Sequence, residues 1–203
     1  YTLSLFITAG IVVFYTFLGG FLAVSWTDCI QGALMFFAIL AVPITAAMYL
    51  GGPIETMQLI QSEFPQGLNL FGDTSDMFAL IIGIISSLGW GLGYFGQPHI
   101  LVRFMAISDA KELKKSTNIA MVWVILSLLA AIFVGLIGNV YMLPERLVGT
   151  DAETIFLVMT ERLFTPFVAG LIWSAVLAAI MSTASAQLLV TASAISNDFY
   201  ANI

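Results

Sequence analysis

Two hydroxyl side chains stand side by side in a long uncharged stretch near the C-terminal end of the sequence. Ser182 and Thr183 lie in "AAIMSTASAQLL", with Ser185 close behind and small residues around them. Hydroxyl and carbonyl oxygens are hard ligands, which suit Na⁺ as they suit other hard cations. Because this stretch has no carboxylate, it favours a monovalent ion. The plainer interpretation is that each hydroxyl bonds back to a carbonyl one helical turn earlier.

A second candidate site lies in "SSLGWGLGYFGQPHI", where Trp90, Tyr94 and Pro98 follow one another at a spacing of four. If this stretch is helical throughout, the three rings share one face. An indole, a phenol and a pyrrolidine along a cavity would suit a small, partly apolar, zwitterionic solute. The alternative is a belt of aromatic residues at the membrane interface.

The same stretch carries Gly89, Gly91, Gly93 and Gly96 just before Pro98. A spacing of two does not place the glycines on one helical face, and proline removes a backbone donor and disfavours helix before it. The pattern therefore predicts a helix broken within the membrane, as transporters use for binding. Close packing against a neighbouring helix is the alternative.

The composition places these stretches in a membrane. Of the 203 residues, 60% are hydrophobic and only 9% are charged, against about 25% charged residues in a soluble domain. Each stretch of about 20 apolar residues can cross the bilayer as a helix. We therefore expect an all-α, multi-pass membrane helix bundle in a single domain over residues 1–203, with five spans: 2–22, 29–50, 77–102, 118–143 and 166–196.

The charges in the connections orient these spans. Arg103, Lys111, Lys114 and Lys115 all fall in the 103–117 connection, whereas the 51–76 connection has no Lys or Arg. Basic connections stay in the cytoplasm. The 103–117 loop and the C-terminal end are therefore expected inside the cell, and the 51–76 and 144–165 loops outside it.

Three polar features have plain structural interpretations. Asp28 and Gln31 in "DCIQ" read as a capping box at the start of the second span rather than as a coupling site. The segment "TMQLIQSEF" in the outer loop reads as ordinary loop rather than as a helical lid. His99, beside Arg103, reads as an interface residue rather than as a proton relay.

Several functional classes do not fit this sequence. A net charge of −6 does not suit nucleic-acid binding, and one Cys with one His makes a Cys/His zinc site implausible. An intramembrane enzyme would need a nucleophile, a base or metal ligands inside the spans. Only Asp28 and His99 are candidates, near inner ends and in different helices.

Three stretches resemble the solute:sodium symporter family: "YTFLGGFLAVSWTDCIQGALM", "GWGLGYFGQPHILVRFMA" and "AAIMSTASAQLLV". That family is similar in fold to LeuT-type transporters, whose core consists of two inverted repeats of five helices. The resemblance implies that the first two spans close one repeat and that the other three open the next. It also implies Na⁺-coupled symport of L-proline into the cell by alternating access.

The resemblance assigns residues to both sites. Trp90, Tyr94 and Pro98 match positions for proline binding, and Ser182 and Thr183, with the backbone carbonyl of Ala179, match the sodium ligands. The remaining ligands would come from core helices outside this sequence. We expect the sequence to be an internal piece of a longer protein, unable to transport by itself. Alternatives are a Na⁺ symporter for pantothenate, a sugar, a monocarboxylate or another osmolyte, and a transporter-like sensor domain.

Overall fold

The computed structural model describes residues 2–69, 77–94 and 96–199, and these form helices and short connections without any strand. Their α-helices are α1 Thr2–Tyr49, α2 Pro53–Glu63, α3 Met77–Tyr94, α4 Pro98–Met105, α5 Ala110–Tyr141, α6 Ile155–Leu163 and α7 Pro166–Ala194. Short 3₁₀ helices at Pro65–Leu68 and Gly149–Thr154 and a π-helical turn at Ile195–Phe199 complete the set. The predicted all-α class is confirmed.

Four of the described helices are long and apolar enough to cross a membrane: α1, α3, α5 and α7. Large apolar side chains are exposed along them, for example Phe17 at 86% and Phe167 at 84%. Such surfaces are stable in lipid or against other helices, where backbone groups are bonded within each helix. The chain is therefore a multi-pass helical membrane protein.

Helix α1 contains both of the first two predicted spans. A straight helix of its 48 residues would be about 72 Å long, more than twice the hydrocarbon thickness of a bilayer. Its backbone leaves helical geometry at Gly20, where φ is 55° and ψ is −149°. Residues 23–28, expected as the connection, are helical instead. Glycine accepts this backbone conformation because it has no Cβ.

The later predicted spans map onto single helices except where Pro98 intervenes. The span predicted at 77–102 is divided into two helices: α3 ends at Tyr94 and α4 begins at Pro98. Helix α5 begins eight residues before its predicted span, because the polar segment that starts at Ala110 is also helical. Helix α7 agrees with the span predicted at 166–196 to within two residues.

The chain divides into two compact units. The first unit is Tyr1–Met35, Leu92–Lys115 and Ser174–Ile203, and the second is Phe36–Gly91 and Ser116–Trp173. In the first unit, small and β-branched residues such as Val12, Val24, Ala178 and Ala186 are buried. This unit contains Tyr94, Pro98 and all three predicted sodium ligands.

The second unit also includes the short helices α2 and α6. Ile60 of α2, Met142 at the end of α5 and Met159 of α6 are at most 2% exposed. The Thr56 hydroxyl donates to the carbonyls of Ala47 and Gly52, at 3.1 and 2.7 Å, and so ties α2 to the end of α1. The segment 56–64, predicted to be ordinary loop, lies in α2 except for its last residue, so that prediction was wrong.

The other end of α2 is held by a cation. The Arg146 guanidinium donates to the carbonyl of Glu63 at 2.7 Å and lies over the Phe64 ring, 5.9 Å from its centroid. Glu63 is the last residue of α2, so the positive charge lies at the negative end of that helix.

Candidate cation and substrate sites

The predicted sodium ligands converge on one carbonyl of α7. The Ser182 hydroxyl donates to the Ala179 carbonyl at 3.1 Å, and the Thr183 hydroxyl donates to the same oxygen at 3.2 Å. The i−3 and i−4 spacing of a helix brings these three oxygens together. The plainer interpretation of the hydroxyls is thereby confirmed as regards their hydrogen bonds.

This geometry is compatible with a cation. Each hydroxyl donates its single proton to the carbonyl, and its oxygen lone pairs can still coordinate a cation. Thr183 is exposed and Ser182 is half-buried, so the cluster lies at the surface of α7. The described residues contain no group of three or more His, Cys, Asp or Glu side chains that could hold a metal. Neutral oxygens without a carboxylate suit a monovalent ion.

Two neighbouring residues hold this part of α7 in place. Ser185 is fully buried, and its hydroxyl donates to the Ser182 carbonyl at 3.0 Å. The Tyr15 hydroxyl of α1 donates to the Met181 carbonyl at 3.4 Å, across 166 positions of sequence. Sequence reasoning missed Tyr15, because a tyrosine within an apolar span carries no sign of its distant partner.

A helix break, as predicted for the glycine-rich segment, is present between α3 and α4, after the first three glycines and around Gly96. Its depth in the membrane stays a prediction. Gly89, Gly91 and Gly93 are helical, and a Cβ built on any of them would have no neighbour within 4 Å. The chain leaves the helix after Tyr94 and resumes it at Pro98, with Gln97 extended at φ −85° and ψ 110°. Proline imposes this conformation on the residue before it.

The hydrogen bonds that the described residues form at the break are local. The Gly96 amide donates to the Gly93 carbonyl at 3.2 Å, and the Gln97 amide donates to the Tyr94 carbonyl at 3.3 Å. On the other side, the Gln97 carbonyl accepts from Ile100 and Leu101. The ends of helices in general have backbone groups that need partners outside the helix, and a polar solute can supply one.

The break changes the geometry predicted for the three rings. Trp90 and Tyr94 lie in α3, but Pro98 is the first residue of α4, so a single helical face does not continue through all three. Tyr94 is 44% exposed and Pro98 is exposed. The Trp90 side chain lies outside the described part, as does Phe95. The assignment of the three residues to a substrate site stays a prediction.

Asp28 has a different role from the one predicted. It lies inside α1 rather than at a helix start, and its carboxylate forms an ion pair with Arg103 of α4. The capping-box prediction was therefore wrong: the helix continues through Asp28, so Asp28 has no free amide groups of a helix start to cap. The sequence suggested that both residues lie near the cytoplasmic ends of their helices, but it did not indicate that they contact each other.

Two cavities lie away from the candidate site residues. One, of about 410 Å³, is enclosed by α1, α2 and α5 in the second unit, and the other, of about 540 Å³, by α1 and α7 in the first. Both are lined mainly by Leu, Ile, Val, Met and Ala side chains. Neither cavity is lined by the candidate site residues Tyr94, Pro98, Ala179, Ser182 or Thr183. Such apolar walls do not suit a zwitterion or an ion.

Comparison with known proteins covers the whole chain. The model of the sodium:solute symporter family matches residues 1–203. Over 200 residues, or 98% of this chain, it is 49% identical to the osmoregulated proline transporter OpuE and 49% identical to the high-affinity proline transporter PutP, both of Bacillus subtilis (strain 168). It is 47% identical over the same length to sodium/proline symporter 2 of Staphylococcus saprophyticus.

These relatives are longer than the chain. The aligned region covers 40% of OpuE, 41% of PutP and 38% of sodium/proline symporter 2. The chain thus spans about two fifths of the length of the curated relatives it matches. No solved structure matches the chain at a significant level.

Proposed function

Since the chain belongs to the sodium:solute symporter family, we propose that this protein serves Na⁺-coupled symport of L-proline into the cell. The relatives described above are named as proline transporters or sodium/proline symporters. The observation that carries the proposal is the convergence of the Ser182 and Thr183 hydroxyls on the Ala179 carbonyl. That cluster is chemically suited to a monovalent cation and lies in a helix without ionisable residues.

Sodium is the co-transported ion in this proposal. The Ala179 carbonyl, Ser182 and Thr183 supply three oxygens, and helices outside this chain supply the rest of the shell. Moving one cation down the membrane potential releases about 2.3 kcal/mol per 100 mV. Sodium favours the outward-open state, and closure around both solutes followed by inward release completes the cycle.

Proline binds at the break between α3 and α4. Tyr94 offers a phenol, Pro98 an apolar ring and Trp90 an indole, and the backbone near Gln97 offers groups not used by helix. Exposed Tyr94 and Pro98 support this placement. The protein lies in the cytoplasmic membrane. The basic residues of the 103–117 loop place that loop inside, and the alternation of spans then places the C-terminal end inside and the 51–76 and 144–165 loops outside.

The test is uptake of radiolabelled L-proline by proteoliposomes that contain the full-length transporter, with and without an inward Na⁺ gradient. We expect uptake to require Na⁺. In Thr183→Ala, the Na⁺ concentration for half-maximal uptake should rise about ten-fold or more, as expected when a ligand worth about 1.4 kcal/mol is removed.

Thr191→Ala is the matched control, because Thr191 lies two turns further along α7 and its hydroxyl bonds back to the Gln187 carbonyl at 2.8 Å. It should leave the Na⁺ dependence unchanged. Uptake that ignores Na⁺, or equal effects of the two variants, would remove the sodium site. Na⁺-driven uptake of another solute would discard proline alone, and binding without transport would favour a sensor.

A further inference from the structure

A single ion pair joins α4 to α1 in the part of the chain that the structure describes. Asp28 and Arg103 are 75 positions apart, and the carboxylate side chain is only 9% exposed, whereas Arg103 is 51% exposed. We propose that Asp28 and Arg103 are positioning residues for α4, and through it for Pro98. The inference deepens the proposed function and rests on it only for the link to proline.

Helix α4 is short and packs loosely among the described residues. It has eight residues, none of them fully buried. It follows the non-helical turn at Gly96 and Gln97, and a short non-helical connection joins it to α5. A short helix between two non-helical connections, with no fully buried residue, opens at low free energy. Its orientation therefore depends on the contacts that its last turn makes.

Arg103 supplies an ion pair from this last turn. It lies in the last turn of α4, where a cation is favoured by the helix dipole. Together with His99 and Val102 it lines a small cleft whose other walls include Asp28, Val24 and Leu189. The guanidinium thus holds α4 against the segments of α1 and α7 that belong to the same unit. Pro98, five residues before Arg103 in the same short helix, is oriented with it.

The burial of Asp28 makes the pair asymmetric. If Arg103 is removed, a carboxylate that is almost fully buried loses its counter-charge, which is costly. If Asp28 is removed, the half-exposed guanidinium can turn to water at small cost. Removing both charges leaves no buried charge unpaired. This order of effects separates a positioning ion pair from two polar residues that merely tolerate substitution.

The experiment measures amide hydrogen exchange of residues 99–105, the part of α4 with amide hydrogens, in the full-length transporter in lipid. In Arg103→Gln, exchange of this segment should become about ten-fold faster, in Asp28→Asn about two- to three-fold faster, and in the double variant Asp28→Asn/Arg103→Gln slower again than in Arg103→Gln. The matched control is Lys115→Gln, whose side chain is exposed in the same predicted inner loop, and it should behave as the unmodified protein.

Transport supplies the second readout. Arg103→Gln should raise the KM for proline about ten-fold and change the Na⁺ concentration for half-maximal uptake by no more than about two-fold. In the double variant the KM for proline should return towards that of the unmodified protein. A purely structural role would lower the amount of folded protein without this selective change in KM.

The outcomes separate the two proposals. If the unmodified transporter does not take up proline, the proposed function fails, while the exchange measurement still decides on the ion pair. Unchanged exchange in Arg103→Gln, or a double variant no better than that single variant, overturns the positioning role. If Arg103→Gln does not fold, recovery of folded protein in the double variant supports the role and its absence refutes it.

Discussion

Gly138 of α5 packs tightly against α6 in the second unit. A Cβ placed on it would lie 2.5 Å from Cδ1 of Ile155 and 2.8 Å from Sδ of Met159. Met159 is fully buried, so it has little room to move aside. The absence of a side chain at position 138 allows the two helices to pack at this distance.

We expect Gly138→Ala to destabilise the protein by about 1–3 kcal/mol, the usual cost of adding a methyl group to a closely packed interior. The measurement is thermal unfolding of the purified full-length protein in detergent. Gly135→Ala is the matched control: it lies one turn earlier in the same helix, and its Cβ would meet no atom within 4 Å. Equal midpoints for the two variants would contradict the packing argument.

The two hydroxyls of α7 show how far residue types alone lead. Their adjacency, and the lack of charge around them, predicted neutral oxygen ligands, and the helical spacing accounts for their shared bond to Ala179. The long-range support from Tyr15 was not predictable, since a hydrogen bond to a backbone carbonyl leaves no mark on the partner's residue type.

Among the helices, α1 departs most from what composition predicts. The charge-free windows end at Asp28, and this suggested a boundary between spans there. The structure keeps that carboxylate inside the helix, because Arg103 neutralises it. The interruption falls instead at Gly20, whose backbone conformation is close to one that only glycine adopts readily.

Gly20→Ala should therefore destabilise the protein by about 1–3 kcal/mol, the cost of holding a residue with a Cβ in such a conformation. Gly32→Ala provides the comparison, because Gly32 is helical in the same helix and a Cβ there would meet nothing within 4 Å. That change should be neutral or stabilising by up to about 1 kcal/mol. The measurement is the thermal unfolding midpoint of both variants. An unchanged midpoint in Gly20→Ala would show that the helix break accepts residues other than glycine.

The break between α3 and α4 was predicted because proline acts locally. Pro98 restricts Gln97 to extended backbone whatever surrounds it, and the structure has this conformation. The sequence pointed less well to the exact position, since glycines weaken a helix without ending it. Gly89, Gly91 and Gly93 accordingly remain helical.

Orientation across the membrane follows from charges summed over whole loops. The prediction is tested by labelling intact cells with a membrane-impermeant maleimide, in a full-length transporter from which Cys29 and every other cysteine have been replaced by Ser. Ser62→Cys, in the predicted outer loop, should be labelled from outside, whereas Lys115→Cys should react only after the cells are opened. Both positions are exposed. The reverse pattern would invert the proposed topology.

The sequence by itself determined the class of the protein and the location of its candidate sites. Long uncharged apolar stretches require helices in a bilayer, because lipid offers no partners for backbone groups. Pro98 required an interrupted helix, and adjacent hydroxyls without carboxylates indicated a monovalent cation. These inferences rest on interactions within a few residues of one another, or on composition, so they need no knowledge of distant contacts.

Only the tertiary structure decided which distant residues meet. Asp28 pairs with Arg103 across 75 positions, Tyr15 reaches Met181 across 166, and Arg146 caps the end of α2 across 83. Helical periodicity places a side chain on a face but does not name the helix that this face contacts. That choice depends on the packing of several helices at once, and so the ion pair that positions α4 emerged from the fold alone.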